Sequence, residues 1–457
     1  MATDSRMAGR LVSWLLTPAL LVTLAPAVPL EAQEISARER DPLVEAAEAG
    51  APAGTFFEPS VQFSEVYDDN VFVSTDNRSA DYIMRLTPGI VAGYRSARAL
   101  FTGSYNLDAE RYRNNTELES LAARQQVSLD FSTYGSRRFL FSVNGGYIDT
   151  TTPSELNQLS GIITGRARTE RFSARPSFTY RTSPNGRLRG EYLTAYDSVE
   201  VDDGLSAFTQ VAQVEYRHQI TTRFALSTDY VLRYFSFDNT PSRPSHVVAL
   251  GLNYALTPST SIALRAGPRL FEEVIGPGVP IPLVPGGTPD PGAPPPSGVQ
   301  PVDRETEIER SVVPEWGAAL HSELRRATLE LAFQRTQTTA IGVQTAIDTT
   351  VASASLLYRP AAPVELRVSP GFFRDRLDGL ETRAYRLGFG FTVWLGSHVA
   401  LVSDYRYNHQ EGVAQAGVGS PPLPPLRQNV ISVGLLATAR RRPAPPEPAT
   451  TQPQERR

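Results

Sequence analysis

Apolar and polar residues alternate along most of this chain, from about residue 56 to about residue 438. In residues 385–395, aromatic and aliphatic side chains occupy every second position, and Arg, Gly and Thr dominate the positions between them. Residues 171–181 and 223–237 repeat the pattern. A period of two predicts β-strands with one apolar face and one polar face.

The alternation divides into about 18 segments, each long enough for the roughly 9–11 residues that a tilted strand needs to cross a bilayer. Strands of soluble sandwiches are nearer five or six residues, so segment length favours a membrane sheet. The predicted strands are residues 56–67, 82–95, 98–112, 121–134, 137–150, 165–182, 186–200, 206–220, 223–238, 245–257, 260–273, 306–322, 325–338, 347–359, 362–375, 382–396, 397–410 and 427–440.

The connections alternate in length as well. Even-numbered strands end in tight turns such as Ser96-Ala97, whereas odd-numbered strands end in longer polar loops such as residues 68–81 and 151–164. This alternation is typical of outer-membrane barrels, with short periplasmic turns and long outer loops. The longest connection, residues 274–304, is dense in Pro and Gly and is predicted to be a flexible surface loop or a constriction folded into the lumen.

The predicted fold class is all-β, a transmembrane antiparallel up-and-down β-barrel of about 18 strands with periplasmic termini. In lipid every backbone polar group needs a partner within the protein, so a spanning sheet has to close on itself. The predicted domains are a signal peptide (1–32), a flexible periplasmic lead (33–54), the barrel (55–440) and a disordered Pro-rich tail (441–457). The predicted location is the outer membrane of a Gram-negative bacterium.

The polar face of the predicted strands carries many ionisable side chains. Buried dry, each unpaired charge would cost several kcal/mol, so these groups indicate a wet lumen, which about 18 strands can enclose. Any one of them is alternatively a cross-strand salt bridge in the wall. The lumen-facing candidates are Arg171, Arg175, Arg181, Arg187, Arg189, Glu191, Glu215, Arg217, Asp229, Arg233, Arg265, Arg269, Glu330, Glu365, Arg367, Asp404 and Arg406.

The first five of these candidates, Arg171 to Arg189, lie on two adjacent predicted strands and are expected to form a basic stripe. A basic wall beside acidic residues makes a transverse field that orients polar or anionic solutes.

Composition narrows the possible chemistry. The chain has no Cys, its 44 basic residues are all Arg, and its net charge of -4 gives no support to nucleic-acid binding. Its five histidines lie on separate segments without metal-ligand spacing, so we expect no metal site and no cofactor. Ser403, near His398 and His409, is the one faint sign of a hydrolase, but it is predicted to point outward. No enzyme activity is expected.

A short motif follows the first predicted strand. Tyr67, Asp68, Asp69, Asn70, Val71 and Phe72 resemble the opening stretch of the β-barrel porin 2 type of outer-membrane β-barrel family. Residues 81–94 and 429–435 resemble its second and closing strands, although the chain ends its last strand on Leu436-Ala437-Thr438-Ala439 without the aromatic residue usual in such barrels. The adjacent acids Asp68 and Asp69 could bind a cation, but the hydrogen bonding usual in turns explains them better.

This resemblance implies an outer-membrane barrel associated with exopolysaccharide synthesis and export. The implied partners are outer-membrane lipid and lipopolysaccharide, the barrel-insertion machinery and polysaccharide export components. We therefore expect a polar conduit for exopolysaccharide or other polar solutes. The alternatives are a general diffusion porin and a structural or adhesion barrel without transport.

Overall fold

The fold is an 18-stranded antiparallel sheet. The computed structural model describes residues 54–75, 78–200, 205–238, 243–275, 307–343, 345–377, 380–414 and 425–439. The strands are β1 (Gly54–Asp68), β2 (Asp81–Arg95), β3 (Ala99–Tyr112), β4 (Ser120–Ser136), β5 (Phe139–Thr150), β6 (Thr169–Arg181), β7 (Gly186–Val199), β8 (Leu205–Gln219), β9 (Phe224–Phe237), β10 (Arg243–Thr257), β11 (Thr260–Ile275), β12 (Glu307–Glu323), β13 (Ala327–Thr338), β14 (Ile347–Ala361), β15 (Val364–Leu377), β16 (Leu380–Trp394), β17 (Val399–Ala414) and β18 (Leu426–Thr438).

The sheet closes into a barrel. Each strand pairs with its neighbours in sequence, and β1 pairs with β18 from Ser60↔Thr438 to Asp68↔Val430. The predicted antiparallel 18-stranded barrel is therefore confirmed. The largest boundary differences are at β6, which begins at Thr169 instead of residue 165, and at β17, which extends to Ala414.

The wall has two faces with different environments. On β10, Val248 and Leu250 are 51% and 69% exposed, whereas Val247 and Ala249 between them are 0% and 2% exposed. The outward residues of the other strands are likewise mostly Leu, Val, Phe and Tyr. An apolar exterior around a closed backbone ladder is the form in which a β-sheet spans a membrane.

The two ends of the barrel also differ. Short turns, such as residues 96–98 and 324–326, join strands at the turn end, where Gly54 and Thr438 also lie. Longer connections, such as residues 113–119 and 151–168, join strands at the loop end. Most fully buried residues are found at the loop end, including Val71, Ile162 and Ile347.

Two short 3₁₀ turns, Thr116–Leu118 and Pro153–Glu155, lie in loop-end connections. Within the described ranges, no helix has the length and apolar character to cross a membrane. The predicted signal peptide, most of the predicted lead, the Pro-rich tail and residues 276–306 lie outside the described residues.

The backbone ladder is interrupted at one seam. β12 pairs with β13 only from Trp316↔Arg335 to Glu323↔Thr328. Toward the loop end, β12 continues along β11, and β13 continues along β14, without pairing with each other. Side chains bridge this gap, because Asp348 on β14 accepts hydrogen bonds from Arg269 of β11 at 2.9 Å and from Arg335 of β13 at 2.5 Å.

Closure between the first and last strands can be tested by crosslinking, because the chain has no native Cys. Gln62 and Leu436 are direct partners on β1 and β18. Opposed antiparallel residues have Cα atoms about 4.5–5.5 Å apart, within disulfide reach. A Gln62→Cys/Leu436→Cys variant is expected to form an internal disulfide that speeds migration of the boiled protein on a non-reducing gel.

The matched control combines Gln62→Cys with Ser403→Cys, whose side chain lies on the outer face of β17. It should give no such band. An open sheet would give none in either variant.

Candidate functional site: a charged lumen narrowed by two loops

The strand register places all seventeen predicted lumen candidates on the inner face of the wall. Arg189, Glu215 and Asp229 lie opposite one another on β7, β8 and β9, in line with buried Ala249 of β10. The same alternation brings the remaining candidates inward. They are Arg171, Arg175, Arg181, Arg187, Glu191, Arg217, Arg233, Arg265, Arg269, Glu330, Glu365, Arg367, Asp404 and Arg406.

Much of the predicted basic stripe is neutralised by two acids of β7, Glu191 and Asp197. Arg171 donates to Asp197 through Nε and Nη2 at 2.5 and 2.9 Å. Arg175 and Arg189 both contact Glu191, at 3.1 and 2.9 Å. The wall therefore carries paired charges here instead of a continuous basic stripe. The cross-strand register brings Asp197 beside Arg171 and Glu191 beside Arg175, whereas Arg189 and Glu191 are two residues apart on β7. Arg181 and Arg187 are exposed at the turn end.

A second charged network is buried beside the β12–β13 seam. Glu315 accepts two hydrogen bonds from Arg233, both at 2.9 Å, and lies 3.5 and 3.6 Å from Arg265 and Arg269. Arg265 also donates to Asp229 at 2.8 Å. Arg269 is only 1% exposed. A buried charge that loses its partner is strongly destabilising, so these groups depend on one another. The network joins β9, β11 and β12 on one side of the seam, and Arg269 extends it across the seam to β14.

The connection between β5 and β6, residues 151–168, folds across the loop-end mouth. Its Ile163 N–H donates to Gln410 of β17 at 2.6 Å, and Leu156 packs on Val199 and Leu205 of β7 and β8. Gly161 has φ +65, and a Cβ there would lie 2.3 Å from the Phe373 ring on β15. Glycine therefore allows both the backbone conformation and the close approach.

The connection between β13 and β14 meets this loop inside the barrel. Asn157 is 2% exposed and joins the two connections. Its Nδ2 donates to the carbonyls of Ile162 and Ile341, and its Oδ1 accepts from the Ile341 N–H at 2.7 Å. Around it, Ile162, Ala340, Val343, Ile347 and Leu377 form an apolar cluster. We call residues 151–168 and the described residues 339–343 and 345–346 the two inner loops.

The family-like motif borders the same region. Asp68 is the last residue of β1 and accepts from the Asn70 N–H at 2.9 Å, while Asn70 exchanges hydrogen bonds with Ser74 at 2.8 and 3.0 Å. Val71 packs with Val66 and Ile83, and Phe72 packs against that cluster. Tyr67 faces outward and packs on Tyr82 at 5.1 Å. In addition, Asp69 accepts from the Asn429 N–H at 2.7 Å. The motif thus forms a hydrogen-bonded turn.

Glu155 is the charged centre of the first inner loop. Its carboxylate lies 3.5 Å from Arg124 of β4 and 3.5 Å from Arg406 of β17. Burial opposes ionisation of this group, but the positive charges of Arg124, Arg406 and Arg85 outweigh that effect and hold its pKa below the ordinary value. A negatively charged Glu155 therefore ties the loop to widely separated strands of the wall.

Sequence reasoning missed the two inner loops. It treated residues 151–164 as an ordinary outer loop, although Leu156 and the pair Ile162-Ile163 were apolar exceptions within it. The sequence Ala340-Ile341-Gly342-Val343 carried the same signal in the second loop. Apolar residues in a loop of a membrane barrel indicate burial against other protein groups. The constriction candidate from sequence, residues 274–304, lies almost wholly outside the described residues.

The residues examined for enzyme chemistry do not converge. Ser403 faces outward, opposite Phe391 and Val433. His398 contacts the Thr438 carbonyl at 3.0 Å, and His409 contacts Glu411 at 2.8 Å. In the part of the chain that the structure describes, no group of three or more His, Asp or Glu side chains is arranged to hold a metal ion.

Comparison with known proteins finds similarity in fold only. No family model and no curated protein sequence matches the chain. The outer membrane protein OpdK of Pseudomonas aeruginosa is 12% identical with a TM-score of 0.42, covering 84% of this chain and 99% of that one. OccAB4 of Acinetobacter baumannii is 8% identical with a TM-score of 0.41, over 84% and 98%.

The ferric-catecholate import receptor Fiu of E. coli is also 8% identical with a TM-score of 0.41, over 84% of this chain and 81% of that one. The resemblance to the β-barrel porin 2 family stays a prediction.

Removing the side chain that joins the inner loops should free them. Asn157→Ala leaves the buried Ile341 N–H and the Ile162 carbonyl without these partners, at a cost of about 1–3 kcal/mol per group. We expect faster amide exchange at residues 341–343, while the heat-induced unfolding of the barrel is unchanged. Gln158→Ala is the control, because Gln158 lies in the same loop and bonds only locally, to Glu155. Equal amide-exchange rates in the two variants would contradict the role of Asn157 in joining the inner loops.

The attachment of the first inner loop should depend on pH. Since the folded-state pKa of Glu155 is below its ordinary 4.5, the stabilisation is complete above that value and is lost as pH falls through the folded-state pKa. Single-channel recordings should show steady current at neutral pH and increasing closures or flicker in strong acid. In Glu155→Gln this acid-induced component should be absent. An identical pH response in both proteins would refute the assignment.

Proposed function

We propose that this protein is an outer-membrane channel for small polar solutes, with its loop end outside the cell and its turn end in the periplasm. The observation that supports this most is a closed barrel with a charged inner wall, whose mouth is narrowed by two inner loops. Near the turn end, Asp130 and Asn144 form an exposed hydrogen-bonded pair on the inner face. Exposed polar groups on an inner wall are suited to a water-filled passage.

The proposed orientation follows from the connections. Outer-membrane barrels carry short turns on the periplasmic side and longer loops outside, and this chain has that asymmetry. The same orientation puts both ends of the barrel sequence in the periplasm. The lipopolysaccharide, insertion-machinery and export-component partners remain proposals on this basis.

The inner loops favour small solutes over a polymer chain. They meet through buried contacts in the mouth, so a polysaccharide strand would have to displace Asn157 and the apolar cluster around it. Exopolysaccharide export is the more specific prediction of the family resemblance. It requires these loops to move aside.

The selectivity of the channel should depend on Glu155. Glu155→Gln removes a negative charge between Arg124 and Arg406, so reversal potentials in a salt gradient should shift toward anion selectivity. Glu170→Gln is the matched control, because Glu170 lies on the outer face of β6 and bonds to Tyr147. The control should leave the reversal potential unchanged.

Liposome swelling gives the solute range. Small neutral sugars should enter, and long oligosaccharides should be excluded from the wild type. Purified protein that neither conducts ions nor swells liposomes would contradict the proposed channel and favour a structural barrel. Current block by long polysaccharide would favour export.

A further inference from the structure

Three arginines gather on the outer face of the barrel at the loop end. Arg374 and Arg376 lie on β15, and Arg383 lies on β16, where it is the direct partner of Arg374. Their side chains are 41%, 55% and 42% exposed. They point outward, because Asp375 and Thr382 on the alternate positions are buried at 0% and 4% exposure. We call Arg374, Arg376 and Arg383 the outer arginine patch.

One carboxylate serves all three arginines. Glu381 accepts from Arg374 at 2.6 Å and from Arg383 at 3.0 and 3.1 Å, and Arg376 lies 3.9 Å away. Three positive charges against one negative charge leave a net +2 on this patch. Glu381 therefore orders the guanidinium groups without neutralising them.

The nearby acids on adjoining strands are already engaged. On the β14 side, the Asp348 oxygens accept from Arg269 and Arg335. On the β17 side, Glu411 is bonded to His409 at 2.8 Å and is also the direct partner of Arg383, so its charge lowers the local balance to +1. The remaining positive charge of the patch faces a ligand outside the protein.

The height of the patch on the wall indicates where that ligand lies. Phe372 and Tyr385 are the next outward-facing pair toward the turn end on the same two strands, and their ring centroids are 5.2 Å apart. Beyond them, Leu387 and Phe389 are exposed on the apolar exterior. Aromatic residues in membrane barrels mark the interface between hydrocarbon and headgroups. Arg374 and Arg383 lie about 7 Å farther along the strands and Arg376 about 13 Å farther, which places the patch at headgroup level.

We infer that the outer arginine patch binds a phosphate group of the lipid A part of lipopolysaccharide. Guanidinium groups bind phosphate through paired, charge-assisted hydrogen bonds, and three of them converge here at the height of lipid headgroups. The inference rests on the proposed outer-membrane orientation, with the loop end at the lipopolysaccharide leaflet. It assigns one lipid to one sector of the barrel.

Another sector of the loop-end rim differs in charge. Arg168 is 48% exposed and bonds to Asp149, and exposed Glu170 lies on the outer face of β6 beside Asp149. One arginine against two acids leaves this sector negative. It supplies a matched control site, because Arg168 is as exposed as the arginines of the patch.

Binding is measured on the full chain in detergent micelles by native mass spectrometry and by thermal shift. The probes are lipid A with both phosphates, lipid A with one phosphate, phosphatidylglycerol and inorganic phosphate. We expect bisphosphorylated lipid A to bind most tightly. An Arg376→Gln/Arg383→Gln variant should bind it at least about tenfold more weakly, since it loses two of the three guanidinium groups that would bind the phosphate. Arg168→Gln should bind it as the wild type does.

A second variant keeps the test decisive if the double variant is unstable. Glu381→Gln raises the net charge of the patch, so it should bind lipid A more tightly, whereas a purely structural role for this cluster would only destabilise the fold. Equal affinities of wild type and the double variant, or weaker binding by Glu381→Gln, would overturn the inference. Full competition by inorganic phosphate would also overturn it, because the site would then be a free-anion site. Since the assay needs no conduction, its outcome is separate from that of the channel recordings.

Discussion

Backbone hydrogen bonding in lipid is the constraint on which the rest of this structure depends. A peptide group without a partner in hydrocarbon costs several kcal/mol, so a sheet with an apolar exterior has to pair its first strand with its last. The β1–β18 ladder fulfils that requirement. Closure then fixes which side of every strand faces inward, because side chains alternate strictly along each strand.

The β12–β13 seam shows how the protein compensates where the ladder is incomplete. Beyond Trp316 and Arg335 the two strands separate, and β13 and β14 lead into an inner loop. Taking charges out of water is expensive, and good geometry is needed to offset the cost. Arg269 offsets part of that cost, because its Nη2 donates to Asp348 at 2.9 Å and its Nη1 lies 3.6 Å from Glu315. The same buried ion pairs therefore close the wall and anchor the hairpin that narrows the mouth.

Sequence alone predicted the wall because the wall repeats a local pattern. A period of two identifies the strands and the inward face, and Arg171 and Glu215 were assigned to that face without any knowledge of the partners of each strand. The partner of each charged residue could not be predicted from sequence, since Asp197 meets Arg171 only through the cross-strand register. Glu155 was missed for the same reason. Its partners Arg124 and Arg406 are distant in sequence, and nothing local distinguishes it from a solvated loop carboxylate.

The narrowing of the mouth follows from the number of strands. Side chains on the wall of a barrel this wide cannot fill its interior, so occupancy of the mouth depends on connections that fold inward. Apolar residues such as Ile162 and Ile341 bring the two inner loops together, and Asn157 satisfies the backbone groups that this contact buries. Most charges on the wall nearby are paired with one another. Paired charges largely cancel at a distance, so a solute in the mouth responds mainly to pairs that are partly exposed, such as Arg406 and Glu155 at 37% and 26% exposure. Selectivity in such a barrel is therefore a property of its loops and of the wall residues they contact, more than of its net charge.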